Sequence, residues 1–366
     1  MIGIRADANS IIATGHVMRC ISIAKAAKEL GEEVTFFLAD QESLRLFESS
    51  TSENEFQVVV LGTDWQNMEG ELDILTKELR ERAIKTLLVD SYSVTRTYFE
   101  KLREICKVAY LDDLNKEAYP VNMLINYSGY SLNMDYTEGY KDMTGYNDEK
   151  TVLYLGLQYA PLREQFYKET PDSEVDKDIV DSFARKDKRH VLIATGGADM
   201  CGMLMPLIDR IISGELEDKA IWHVVIGGFV ENADAIIRKA QGHDSIVIHR
   251  AVQNMAYLMN RCDLAVMAAG TMLTECAACG LPTIFYQVAD NQKFNVQYWG
   301  NSEGMTFAGD VSESDTKKTF AIDNVEKALI ERLSDTSQLD KLSASLKRIT
   351  DGKGAIRIAR ALMGDL

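Results

Sequence analysis

The sequence predicts an α/β protein made of two doubly wound, parallel-sheet domains that face each other across a cleft. Three observations carry this expectation. Short apolar runs alternate with helical patterns along most of the chain, as parallel strands covered by helices require. Glycines and polar residues collect just after the strand-like runs, at the carboxyl ends where such sheets bind ligands. A length of 366 residues is more than one core holds comfortably.

In the first half, strands are expected at 2–6, 34–38, 58–61, 86–90, 108–111 and 123–126. Helices are expected at 16–30, 68–82 and 95–106, and Gly31 is placed to end the first of them. Residues 128–150, rich in Tyr, Gly, Asn and Asp, have no clear period and read as an irregular surface excursion. The charged, proline-containing stretch 167–190 reads as an interdomain connection. A second strand series follows in "HVLIATGGAD", "AIWHVVIGG", "SIVIHR", "DLAVMAAG" and "PTIFYQ", and the tail 324–363 is helical in pattern. The expected division is a first domain at 1–168, a linker at 169–187 and a second domain at 188–366. The last helix is a candidate to pack back on the first domain.

The composition, 46% apolar and 26% charged, is that of a folded globular protein. No apolar run approaches the roughly 20 residues that cross a bilayer. Arg5 and Asp7 interrupt the first apolar run before a signal-peptide core can form. A cytoplasmic protein without membrane insertion is the expectation. The formal charge of −16 argues against nucleic acid as a partner but not against a small anion at a helix N-terminus. Of six scattered cysteines only Cys276 and Cys279 have pair spacing, and small residues packing a helix account for them better than a metal or redox pair. No metal and no cofactor is expected.

Near the start, "IRADANSIIATGHVMRC" sets His16 after Gly15 at a strand-to-helix junction. Gly15 suits a tight turn. The positive helix end and Arg19, one turn on, both favour a neutral imidazole, the state a general base needs. The same spacing also suits a histidine hydrogen-bonded in a loop. In "LLVDSYSV", Asp90 and Tyr92 fall at a strand end, where Asp90 can orient His16 and Tyr92 can position a substrate or water; a cap or turn role fits Asp90 equally. Asp112 and Asp113 sit at the next strand end, as a carboxylate pair or a solvated turn.

In the second half, Gly196 and Gly197 follow a strand and precede a helix. Bare backbone there lets phosphate oxygens approach N–H groups, although the pattern is not GxGxxG. In "MAAGTMLTECAACGLPTIFYQVADNQKFN", a helix opens after Gly270 at Thr271, with N–H groups for a diphosphate. Glu275 is one turn in, suited to a ribose diol or simply to the helix dipole. Asn291 and Gln292 stand at a further strand end.

Together "RADAN…TGHVMRC", "VDSY", "LDDL…NMLIN", "LGLQYAPLREQF", "TGGAD", "AAGTMLTECAACGLP" and "DNQ" resemble the UDP-2,4-diacetamido-2,4,6-trideoxy-β-L-altropyranose hydrolase family of pseudaminic acid biosynthesis. Its relatives in surface and spore-coat polysaccharide clusters share the likeness, which spans most of the chain. The resemblance implies a GT-B-type fold, similar to the N-acetylglucosaminyltransferase of peptidoglycan synthesis but with water in place of the acceptor. It implies that His16 is the base, with Tyr92 and Asn291 near the sugar, and that UDP is held around Gly196, Gly197, Thr271 and Glu275. Arg5, Asp7, Gly15, Arg19, Gly270 and Gln292 lie in the matching motifs as ligand-binding candidates. Arg163, in the family's LR pair, is implied to hold the domains or a substrate group. The implied reaction is inverting hydrolysis of a UDP-sugar. The alternatives are a glycosyltransferase on the same scaffold, or a two-domain binding protein without chemistry.

Overall fold

Runs such as Leu87-Leu88-Val89 and Leu264-Ala265-Val266-Met267 are buried on both faces, an environment that parallel sheets between helices provide. The computed structural model, which describes residues 1–12, 14–312, 314–335 and 337–365, contains two such sheets. The first is formed by β1 (Ile2–Ala6), β2 (Val34–Leu38), β3 (Gln57–Val60), β4 (Thr86–Asp90), β5 (Lys107–Leu111), β6 (Met123–Asn126) and β7 (Val152–Leu155). Its order is β3-β2-β1-β4-β5-β6-β7. The second is formed by β8 (Arg189–Ala194), β9 (Ala220–Ile226), β10 (Ile246–Arg250), β11 (Leu264–Ala268), β12 (Thr283–Gln287) and β13 (Met305–Asp310), in the order β10-β9-β8-β11-β12-β13. Every strand pair in both sheets is parallel.

The chain divides into two compact units, one of Met1–Arg163 with Gly352–Leu366, the other of Glu164–Asp351. In each sheet the strand order reverses once, between β1 and β4 in the first and between β8 and β11 in the second. Loops leaving such a switch point run in opposite directions and open a crevice between them. His16 and Asp90 follow β1 and end β4; Gly196 and Thr271 follow β8 and β11.

β7, β13 and helix Gln41–Glu48 are among the elements that escape the periodicity reading. β7 and β13 are edge strands: Val152 and Phe307 are exposed, and the β12–β13 register shifts at Phe285/Tyr286. Helix Gln41–Glu48 is short and starts on the Asp40 side chain, which accepts from the Ser43 N–H at 2.8 Å.

The segment 128–150 is not a plain surface excursion. It holds short helical turns, and Tyr136 and Tyr140 are buried in the core of the first unit. The Tyr136 hydroxyl donates to Asp112 at 3.0 Å and accepts from Asn126 at 2.9 Å, so each ring covers apolar surface while its oxygen is satisfied. Residues 169–187, expected as a linker, carry contacts to the second unit. Asp172 accepts from the Tyr257 hydroxyl at 2.8 Å and from Arg261 at 2.6 Å, and Phe183 stacks on His223 at 4.3 Å.

The final helix, Gly354–Met363, belongs to the first unit and buries Ile358, Ala359 and Leu362 in the cluster that holds Val17, Ile21 and Ala24. Gly354 is needed there, because a Cβ on it would lie 2.2 Å from the Ala160 carbonyl oxygen.

Candidate active site

Parallel pairing sets Ala6 of β1 opposite Asp90 of β4. The chain leaving β1 makes an Asx turn, in which the Asn9 side-chain oxygen accepts from the N–H groups of Ile11 and Ile12, both at 2.9 Å. Helix Gly15–Glu29 then begins, so its first turn stands over the end of β4. His16 Nδ1 lies 2.6 Å from Asp90 Oδ1, with both side chains buried. Arg19, one turn further on, donates from Nε to Asp90 Oδ2 at 2.5 Å and from Nη2 to Asp90 Oδ1.

Burial opposes the charge on Asp90, but the Arg19 guanidinium and its hydrogen bonds, with the His16 contact, outweigh it. The carboxyl is held down to about 2. An ionised oxygen at 2.6 Å from Nδ1 requires the proton to lie between them, so the neutral ring carries its hydrogen on Nδ1 and a lone pair on Nε2. Arg19 Nη2, 3.0 Å from Nδ1, is then a neighbouring cation and not a donor to that nitrogen.

Tyr92 stands beside this pair, nearly half exposed, with its ring edge-to-face on the imidazole at a centroid distance of 4.7 Å. Its hydroxyl donates to Asp113 Oδ2 at 2.9 Å. Burial and the nearby Asp113 charge push the phenol well above its ordinary range. Arg19 also donates to the Tyr127 hydroxyl at 2.8 Å and reaches Asp113 at 3.4 Å. Tyr127 was not singled out in the sequence; a tyrosine directly after the β6 run was the available signal.

Arg5 and Asp7, candidates for ligand contact, lie inside the first unit. Arg5 is fully buried, donating twice to Glu71 at 2.7 Å and to Asp7 at 2.5 Å. The Asp7 carboxylate also accepts from the Ala39 N–H at 2.7 Å. A guanidinium so enclosed ties β1 to the chain before helix Leu72–Glu81 and presents nothing to a ligand. Gly15 also differs from expectation: it is the first helical residue and is not left-handed. The turn is made upstream, and the glycine leaves open space beside His16, with nothing within 4 Å of a built Cβ. Arg163 is half-buried at the end of the continuous part of the first unit.

In the second unit, β8 and β11 are adjacent, with Ala194 paired to Met267. The Gly196–Gly197 turn and the Gly270–Thr271 turn therefore emerge side by side. Gly196 has φ +88°, which glycine adopts without strain. Asp199 caps the following helix, accepting from Met203 N–H at 2.8 Å and Leu204 N–H at 3.1 Å.

The start of helix Met272–Cys279 is tighter than expected. The N–H groups of Leu273 and Thr274 turn back to the carbonyls of Gly270 and Thr271, so these two donors face the turn and not a diphosphate. Asn295, which the sequence reading passed over, braces the same loop by donating to Ala269 and Gly270 carbonyls at 3.3 Å. Glu275 lies in the helix's first turn, half-buried. Asn291 is exposed in a short turn after β12, and the Gln292 side-chain oxygen accepts from the Val288 N–H at 2.9 Å. Gln292 thus shapes the strand end, leaving Asn291 as the outward residue.

A family described as "Protein of unknown function (DUF354)" matches residues 203–342. The chain is 24% identical to the uncharacterized protein MJ1062 of Methanocaldococcus jannaschii, over 77% of this chain and 54% of that one, so it spans about half the length of that relative. It is 23% identical to the spore coat polysaccharide biosynthesis protein SpsG of Bacillus subtilis, over 100% of this chain and 98% of that one. It is also 23% identical to the UDP-2,4-diacetamido-2,4,6-trideoxy-beta-L-altropyranose hydrolase of Campylobacter jejuni, over 74% and 85% of the two chains. Among solved structures, MurG of Acinetobacter baumannii matches with a TM-score of 0.65 at 11% identity, covering 99% of both chains. A UDP-glucosyltransferase from Polygonum tinctorium matches with a TM-score of 0.66 at 10% identity, covering 99% and 98%. The chain thus has the fold of GT-B glycosyltransferases, two α/β units each on a parallel sheet.

Proposed function

We propose that the protein is an inverting nucleotide-sugar hydrolase, which releases UDP and a free 2,4-diacetamido-2,4,6-trideoxyhexose for nonulosonic (pseudaminic) acid synthesis. The observation that carries the reading is the His16–Asp90 pair, whose geometry leaves the imidazole Nε2 as a proton acceptor. The hydrolase and spore-coat relatives support the class of substrate. His16 takes a proton from water as the water oxygen bonds to the anomeric carbon. The bond from that carbon to the UDP oxygen breaks on the opposite face, and its electron pair leaves with UDP. Backbone donors at the Gly196–Gly197 turn and the N–H groups of Thr271 and Met272, which the tight helix start does not use, stabilise the leaving diphosphate. Tyr92 and Asn291 contact the sugar in this reading, and Glu275 the ribose.

The glycosyltransferase neighbours favour a second reading, in which His16 deprotonates an acceptor hydroxyl. A proton NMR time course with the diacetamido UDP-sugar and no acceptor separates the two. Free sugar appearing as the inverted anomer, in step with UDP, supports hydrolysis; UDP released only when an acceptor is added supports transfer. His16→Ala is expected to lower turnover about 10²–10⁴-fold, the contribution of a general base, with UDP affinity unchanged by calorimetry. Wild-type turnover in that variant removes His16 from the chemistry.

A further inference from the structure

Asp112 and Asp113 are adjacent in sequence but differently employed. Asp112 is spent on the fold: it accepts from the N–H groups of Leu114 and Asn115 and from the Tyr136 hydroxyl. Asp113 turns the other way, with Oδ2 receiving the Tyr92 hydroxyl at 2.9 Å and Arg19 at 3.4 Å. Its Oδ1 is buried and has no hydrogen-bond partner. A phenol has one proton to donate. Because Tyr92 gives that proton to Asp113, the exposed side of its oxygen offers lone pairs only.

We propose that Asp113 is a positioning residue, which holds the Tyr92 hydroxyl as a hydrogen-bond acceptor beside His16 so that the pair receives a donor group, a sugar O–H or amide N–H, from the substrate. The proposal rests on the nucleotide-sugar reading above. Arg19 ties the arrangement together, since one guanidinium bonds Asp90 behind the imidazole and reaches Asp113 behind the phenol. A substrate that presents an acceptor at this point meets oxygen against oxygen, whereas an acetamido or hydroxyl hydrogen meets the lone pairs of the exposed Tyr92 oxygen. Such a site discriminates, because a bound sugar that lacks the donor covers the Tyr92 oxygen without giving it a partner.

The test is a cycle of Asp113→Ala, Asp113→Asn and Tyr92→Phe, with kcat and KM measured on the diacetamido UDP-sugar. Asp113→Ala frees the phenolic proton and is expected to lower kcat about 10–100-fold, which is about 1.4–2.7 kcal/mol in the barrier. KM should stay within about threefold, because the contact is set up for the reacting geometry. Asp113→Asn keeps an oxygen toward Tyr92 and Arg19 and should restore most of kcat. In the Tyr92→Phe background Asp113→Ala should cost no more than about threefold further. A full independent loss in that background, or unchanged kcat in Asp113→Ala, overturns the proposal.

A second readout does not need turnover. The groups facing the Tyr92 phenol are Asp113, Arg19, Asp90 and His16. With ¹³C-labelled tyrosine, the Tyr92 resonance (assigned by its absence in Tyr92→Phe) should titrate at lower pH in Asp113→Ala than in wild type. If wild type turns over no UDP-sugar, the functional reading fails. The titration then judges the pairing by itself, and an unmoved Tyr92 curve refutes it.

Discussion

Asp90 is the residue on which the first unit's site turns, because it serves His16, Arg19 and the Cys20 thiol at once. Replacing it by Asn keeps the shape but presents an amide to the imidazole and strips Arg19 of its main counter-charge. The ring then has reason to move its proton to Nε2, the wrong nitrogen for a base. Asp90→Asn is expected to reduce kcat about 10²–10⁴-fold, as loss of the correct tautomer does elsewhere. It should also destabilise the unit by about 3 kcal/mol, since it breaks a buried pair from one side. Steady-state kinetics and urea unfolding check the two parts. Stability tied to the Asp90 charge is present above its unfolded value near 3.8 and is lost as pH falls through about 2. At this scale, sequence reasoning could place His16, Arg19 and Asp90 because helix spacing and strand ends are local rules. It could not see that Arg5 is enclosed, because Glu71, its partner, is 66 positions away.

The central strands were legible, whereas of the four edge strands β3 and β10 were expected and β7 and β13 were not. A central strand is buried along nearly all its length, so β1, β4, β8 and β11 announce themselves by their apolar runs. β7 and β13 each lack a neighbour on one side and mix polar or exposed residues into the run. Periodicity also gave no hint of the ladder formed by His190, His223 and His249 across β8, β9 and β10. These rings are diagonal neighbours on one sheet face, linked at 2.8 and 2.9 Å, and His190 Nε2 donates to the Arg185 carbonyl at 3.1 Å. That carbonyl can only accept, so His190 Nε2 carries a hydrogen.

Burial, aided by the neighbouring histidines, holds His223 down to about 2, and burial holds His249 down to about 4. Both values lie below the unfolded value near 6.5, so the unfolded chain gains protons first as pH falls. Stability of the second unit is therefore full above about pH 6.5 and declines below it, by about tenfold in the folding constant per pH unit for each excluded proton. His223→Phe should flatten that decline between pH 6 and 4 in urea titrations; an unchanged slope would dismiss the ladder as its source.

At the scale of the molecule, the two units are built by one rule, a parallel sheet reversed at its centre, yet they differ in continuity. The second is one uninterrupted stretch, whereas the first is assembled from both ends of the described chain. Gly354 is the point of closest approach, and any side chain there meets the Ala160 backbone, which cannot rotate away. Gly354→Ala is expected to cost about 2 kcal/mol or more, as overpacking does. Hydrogen exchange should show lost protection in β1 and helix Gly15–Glu29, while β8 to β12 keep theirs. Uniform loss across both sheets would contradict the assignment of this helix to the first unit.

The same discontinuity orders the birth of the protein. A nascent chain has the whole second sheet in hand while the first still lacks a covering helix, so the apolar side of Val17, Ile21 and Ala24 stays wet until helix Gly354–Met363 is made. Of the two units, the one that carries the imidazole is completed second.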